Sequence, residues 1–130
     1  MSHRILVVED NPANQELLHD WLEVEGFEVV TAASLEQAFA AVKGERLDAI
    51  LLDVQLGSED GLALVASIRE DSALRSLPVI AVTAHAMVTD HARVLRAGCD
   101  ACISKPIDFR ALRAELEQWL NTAGKSQSRL

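Results

Sequence analysis

Five short apolar runs, none alternating with polar residues, recur along the chain: Ile5 to Val8, Val29-Val30, Ala49 to Leu52, Val79 to Val82 and Ala101 to Ile103, each followed by polar or acidic residues. A strand that is apolar at every position must be covered on both faces, which is the condition of a parallel sheet buried between layers. Between the runs the period changes. Leu35, Ala38, Phe39 and Val42 follow i, i+3, i+4, i+7 spacing, as do Gly61, Leu64, Val65 and Ile68. Leu17, Leu18, Trp21 and Leu22 form one apolar stripe, and Phe109, Leu112, Leu116, Trp119 and Leu120 form another. Local punctuation agrees: Asn11-Pro12 reads as a cap and a first-turn proline, Ser34-x-x-Gln37 as a capping box, and Gly26, Gly44 and Gly98 fall where three helices should stop. Strand followed by helix, five times over, predicts a doubly wound α/β domain whose right-handed crossovers place helices on both faces of the sheet.

A chain of 130 residues holds one such domain, expected over 1–122, with a polar tail over 123–130 that has little to pack. Hydrophobic residues at 49% and charged residues at 25% exclude disorder, coiled coil and collagen-like classes. Acids outnumber bases 20 to 12 and no basic run occurs, which argues against direct nucleic-acid binding and against an anionic membrane surface. A protein, a cation or a small anion is the expected partner. No apolar stretch is long enough to insert in a bilayer, and Cys99 and Cys102 stand only three apart, as free thiols of a reducing compartment would; the cytoplasm is the expected location.

In doubly wound sheets, ligands bind beyond the carboxyl ends of the strands. Glu9 and Asp10 follow the first run, Asp53 closes the third, Thr83 follows the fourth, and Ser104-Lys105-Pro106 follows the fifth. Three carboxylates brought together repel one another unless a cation sits among them, and a hard ion with oxygen ligands, Mg²⁺ above all, suits one or two carboxylates plus a phosphate. Lysine supplies a compact positive charge and threonine a hydroxyl donor for phosphoryl oxygens, and a carboxylate beside the metal can accept a phosphoryl group. Singly, each residue has a plainer explanation: an acidic pair caps a helix, an aspartate caps a loop, a threonine serves a turn, a lysine faces solvent. Four strand ends carrying them together point to chemistry.

Those blocks, Ile5-Leu6-Val7-Val8-Glu9-Asp10-Asn11, Leu52-Asp53-Val54-Gln55, Asp60-Gly61, Val82-Thr83-Ala84 and Ser104-Lys105-Pro106, resemble the receiver domains of two-component response regulators in order and spacing over nearly the whole chain. The resemblance implies a flavodoxin-like (βα)5 fold with strand order 2-1-3-4-5. It implies that Asp53 accepts a phosphoryl group from a phosphohistidine on a histidine kinase or histidine phosphotransfer protein, and that the output is a contact with a downstream protein target. Asp10, Asp53 and the backbone carbonyl of Gln55 would hold Mg²⁺, with Glu9 acting through water, Thr83 donating its hydroxyl to the phosphoryl group and Lys105 pairing with it. The Lys105-Pro106 bond is a cis candidate. The domain would catalyse its own phosphorylation and dephosphorylation without being an enzyme toward a separate substrate. Phosphorylation would shift an equilibrium centred on the fourth helix, fifth strand and fifth helix. The block at Val8 to Asn14 is more like receivers of hybrid kinases and stand-alone relay proteins, and the first helix is where the family docks its histidine-bearing partners.

Two departures qualify the pattern. Cys102 occupies the position where the family carries an aromatic switch residue, and Gly57 with Glu59 replaces the family's usual loop after Asp53, a change expected to loosen it. Other readings are a phosphorylation-independent docking scaffold and a flavin or nucleotide binder; Glu9 and Asp10 stand where the latter needs a phosphate loop. An aspartyl-phosphate phosphatase would need an acid where Gln55 stands. Cys99-x-x-Cys102 lacks the second pair of a zinc site and reads as two near-core thiols. His85, two residues after Thr83, is a surface histidine at a helix start or one that overhangs the site.

Overall fold

The computed structural model describes residues 3–84 and 88–128, with side chains described over 3–84 and 90–120. Five strands, β1 (Arg4–Val8), β2 (Glu28–Ala32), β3 (Ala49–Asp53), β4 (Val79–Thr83) and β5 (Ala101–Ser104), form one parallel sheet in the order β2-β1-β3-β4-β5. Helices α1 (Pro12–Val24), α2 (Leu35–Gly44), α3 (Leu62–Glu70), α4 (Val88–Arg96) and α5 (Phe109–Ser128) connect or follow them. The architecture is the flavodoxin-like doubly wound fold, with the order reversing between β1 and β3. The stretch from Ala123 is continuous with α5, whose helical backbone runs to Ser128.

Strand side chains alternate between two separate cores, which is why the runs are apolar throughout. Leu6, Val8, Ile50, Leu52 and Ala81 meet Ala38, Val42, Leu64, Val65, Ile68 and Val94 from α2, α3 and α4. Ile5, Val7, Ala49, Leu51, Ile80 and Ile103 meet Leu18 and Leu22 of α1 and Leu112 and Leu116 of α5. The stripe expected on α1 divides accordingly: Leu18 and Leu22 are buried, Trp21 is half-buried, and Leu17 keeps 55% of its surface in solvent.

The helix starts follow from capping. Asn11 Oδ1 accepts from the Asn14 N–H at 3.1 Å with Pro12 behind it, and Ser34 Oγ accepts from the Gln37 N–H at 3.2 Å. The Gln37 side chain reaches back one residue further than a standard capping box, accepting from the Ala33 N–H at 2.7 Å. Of the three expected stop glycines, Gly26 and Gly98 follow α1 and α4 with positive φ, whereas Gly44 is the last residue of α2 itself. At the amino edge of the sheet, Arg69 of α3 clamps three segments. Its guanidinium donates to the carbonyls of Gly98, Arg75 and Leu77 at 2.8–2.9 Å and to Asp100 Oδ2 at 2.9 Å, and that oxygen also accepts from the Val79 N–H at 2.8 Å. Backbone groups of the loops before β4 and β5 are thereby satisfied without water.

Candidate phosphoacceptor site

The carboxyl ends of β1, β3, β4 and β5 lie along one edge, because parallel pairing sets Val8 beside Leu52, Asp53 beside Val82, and Thr83 beside Ser104. That register brings together residues separated by up to 96 positions, from Glu9 to Lys105, at a 3.6 Å approach of the two charged groups. Glu9, Asp53 and Thr83 are the buried polar or charged residues among those described, while Asp10 stays exposed. Oxygens of Glu9, Asp10 and Asp53 lie within 4.8 Å of one another.

Asp53 is held from two sides. Its Oδ1 accepts from the Gln55 backbone N–H at 3.0 Å, and its Oδ2 accepts from Lys105 Nζ at 3.0 Å. Burial pulls the Lys105 pKa down, but the hydrogen bond and charge of Asp53, with the charge of Glu9, more than offset this, so the ammonium form is favoured beyond its ordinary range. Glu9 moves the other way. Burial, then a hydrogen bond to Asp53 and the Asp53 charge, raise its pKa from 4.5 to about 7 against the opposing pull of Lys105 and Asn14. Three acids therefore share fewer than three charges near neutrality unless a cation joins them. Hard oxygen donors of this number and spacing fit a divalent ion such as Mg²⁺.

Thr83 ends β4, and its carbonyl accepts from the Lys105 N–H at 2.8 Å, which ties the two strand ends together. The Lys105–Pro106 peptide bond is cis. Cys102 lies in β5, partly buried and packed toward the α2/α3/α4 core, and both cysteines are free. Burial pushes the Cys99 thiol up to about 12 and that of Cys102 upward, so neither has the thiolate character of a reactive cysteine. His85 lies outside the described residues.

The loop after Asp53 departs from the expectation of looseness. Gln55–Leu56 pairs antiparallel with Glu59–Asp60, and Gly57 takes φ of +60° at the first position of a two-residue turn, the place where a tight hairpin of this kind demands glycine. Glycine here closes a hairpin that presents the Gln55 peptide to Asp53. At the base of the hairpin Gly61 is required for space: its N–H donates to the Val54 carbonyl at 2.6 Å, and a Cβ there would stand 2.6 Å from the Asp53 carbonyl oxygen and 3.1 Å from that of Val54. Gly61→Ala is expected to cost about 2 kcal/mol or more, because both contacts are backbone and must move. Chemical denaturation measures it, and a loss below about 0.5 kcal/mol would show that the base of the hairpin can shift freely.

Several participants escape sequence reasoning. Asn14 Nδ2 donates to Glu9 Oε1 at 3.3 Å and Gln15 Nε2 to the Glu9 carbonyl at 3.0 Å, so the first turn of α1 fixes the acidic loop. Proximity in the chain is the one signal that pointed to them. Arg93 of α4 donates to Asp60 Oδ2 at 3.0 Å, and His91 Nε2 is hydrogen-bonded to Ser104 Oγ at 2.9 Å, so α4 is joined both to the hairpin and to the residue before Lys105. Amphipathic periodicity carries no information about such pairs.

A doubly wound sheet with buried acids, a lysine and a threonine at its carboxyl edge defines a class of acidic, cation-ready sites. Comparison with known proteins narrows the class. Residues 5–117 match the model of the response regulator receiver domain, and the chain belongs to that family. It is 37% identical over 123 residues, 95% of this chain and 100% of the relative, to the polar-differentiation response regulator DivK of Brucella ovis. Among solved structures, a CheY-like receiver domain protein from Methanospirillum hungatei JF-1 superposes with TM-score 0.88 at 29% identity, covering 97% of this chain and 99% of that one. The receiver domain of a sensor histidine kinase from Pseudomonas aeruginosa PAO1, with a magnesium ion coordinated in its active-site cleft, gives TM-score 0.84 at 35% identity over 93% and 99%. No helix among the described residues is long and apolar enough to cross a membrane.

Proposed function

We propose that this chain is a cytoplasmic phosphoacceptor switch in which Asp53 takes a phosphoryl group from a phosphohistidine on a histidine kinase or histidine phosphotransfer protein. The observation that carries the reading is the pinned Asp53 carboxylate, oriented by the Gln55 peptide and Lys105, with two further carboxylates in reach. Glu9, Asp10, Asp53 and the Gln55 carbonyl are the groups that would hold Mg²⁺, Glu9 through water, and a bound ion there supplies neutralising charge for phosphoryl oxygens. An Asp53 carboxylate oxygen attacks phosphorus, the P–N bond to the histidine breaks, and the imidazole nitrogen keeps the electron pair and takes up a proton. Lys105 balances the added negative charge, and the Thr83 hydroxyl donates to a phosphoryl oxygen. Hydrolysis by water returns Asp53 to its free form, so the chain catalyses both steps on itself.

For the partner, an apolar groove of about 210 Å³ opens beside the site between α1 and the β5–α5 connection, lined by Leu17, Leu18, Ile107 and Phe109 with Glu9 and Lys105 at its end. Leu17, exposed on α1, gives a histidine-bearing helix an apolar hold next to the acceptor. The output would be a change at α4, β5 and α5 that a downstream protein reads.

The test is incubation with a small-molecule phosphodonor and Mg²⁺, followed by intact mass of wild type and Asp53→Asn, with and without chelator. A metal-dependent adduct in wild type and none in Asp53→Asn is the expected result. A folded wild type that forms no adduct even with a competent phosphohistidine partner would make the chain a phosphorylation-independent docking scaffold.

A further inference from the structure

An open cleft of about 420 Å³, separate from the α1 groove, lies between the Gln55–Asp60 hairpin and α4. Gln55, whose N–H donates to Asp53 Oδ1 at 3.0 Å, and Thr83 are among the residues that line it, so it borders the acceptor. Among the described residues that line it, Glu59, Asp60 and Asp90 are acids and Arg93 is the one base. A small acyl phosphate is a dianion near neutral pH. On entering it meets those three acids, with Glu9, Asp10 and Asp53 behind them, in a chain whose formal net charge is already −8. Lys105 gives little help at the mouth, because its ammonium is engaged by Asp53 at 3.0 Å and Glu9 at 3.6 Å.

Arg93 is differently placed. It donates to Asp60 at 3.0 Å, but the two side chains are 53% and 55% exposed, so exchanging that carboxylate for another anion costs little. A guanidinium also has several donors, and accepting a second oxyanion does not require it to leave the first. Asp60 in turn has a separate structural duty: its Oδ1 accepts from the Leu62 N–H at 3.0 Å at the start of α3.

We propose that Arg93 is the selectivity residue through which this chain accepts small dianionic acyl phosphates, independently of a protein donor, with Asp60 as its competitor. The inference rests on Asp53 being the acceptor. Arg93 gathers the anion in the cleft and an Asp53 oxygen attacks phosphorus. The P–O bond to the acyl group then breaks, and the acyl carboxylate leaves with the electron pair.

Opposite signs test it. With acetyl phosphate and Mg²⁺, the second-order rate constant for adduct formation is expected to fall about three- to tenfold in Arg93→Gln and to rise about two- to threefold in Asp60→Asn. Asparagine keeps an acceptor for the Leu62 N–H while removing the charge. Both differences should shrink as salt is raised and should be smaller with phosphoramidate, which carries less charge, and Arg93→Lys should recover most of the rate. If the pair merely clasps the hairpin to α4, either substitution breaks it and both rates move in the same direction, which overturns the proposal, as does no change in either. Those results leave Asp53 as acceptor intact; a wild type that forms no adduct with any donor removes that reading and this one together.

Discussion

Asp10→Ala is expected to weaken Mg²⁺ binding by at least about tenfold and to remove most of the stabilisation that Mg²⁺ gives the fold. Asp10 is the exposed member of the acidic trio, so its removal leaves the packing of Glu9 and Asp53 in place while deleting one of the carboxylates proposed to hold the ion. The same trio makes the metal-free protein sensitive to pH. Glu9 has its pKa raised in the fold from 4.5 to about 7, chiefly by burial, so the folded chain holds a proton that the unfolded chain has lost. Its contribution is whole below about pH 4.5 and disappears as pH rises through about 7, a change of at most about 3 kcal/mol. Thermal unfolding without metal should therefore show Tm falling from pH 5 to pH 8, with Mg²⁺ raising Tm more at pH 8 than at pH 5. Glu9→Gln should flatten the metal-free profile. A wild-type profile already flat over that window would show that Glu9 ionises without penalty beside Asp53.

Lys105→Ala is expected to leave the phosphoryl adduct measurable but to blunt the change at α4 and β5. Asp53, the proposed acceptor, and the rest of the acidic trio survive the substitution. What goes is the charge that follows the acceptor: Nζ sits 3.0 Å from Asp53, and the adjacent backbone is bonded to the Thr83 carbonyl on one side and, through Ser104, to His91 of α4 on the other. Losing a hydrogen bond between charged groups, about 1.5–3 kcal/mol, corresponds to roughly a tenfold or larger change in the ratio of two conformers. Hydrogen exchange of α4 and β5 before and after phosphorylation measures it. An undiminished response in the alanine variant would assign the coupling elsewhere. Cys102 of the same strand is a small, partly buried thiol at the position where the resemblance implies an aromatic switch residue, and the His91–Ser104 bond joins that strand to α4.

Much of the molecule is legible in the chain because its signals are local or periodic. Unbroken apolar runs report burial on both faces, and Asn11-Pro12 and Ser34-x-x-Gln37 cap their helices with the expected groups. Gly57 was misleading. A glycine read for its freedom alone suggests a loose loop, but its freedom is spent on a positive φ that closes the Gln55–Asp60 hairpin, because Gln55 and Asp60 find each other as backbone partners. Leu17 belonged by spacing to the apolar stripe of α1, yet Leu18 and Leu22 take the buried positions of that helix and Leu17 remains at the surface.

By itself the sequence determined which chemical groups stand at the ends of four of the five strands: Glu9, Asp10, Asp53, Thr83 and Lys105, at carboxyl termini that a doubly wound sheet gathers on one edge. Only the tertiary structure decided how they share charge and what surrounds them. The rise in the Glu9 pKa depends on burial and on the Asp53 carboxyl beside it, and the clamp of Arg69 and the Arg93–Asp60 pair join residues 31 and 33 positions apart. Hydrogen-bond partners and desolvation are properties of distances between segments, and those distances exist only once the sheet has set its register and the helices have packed against it.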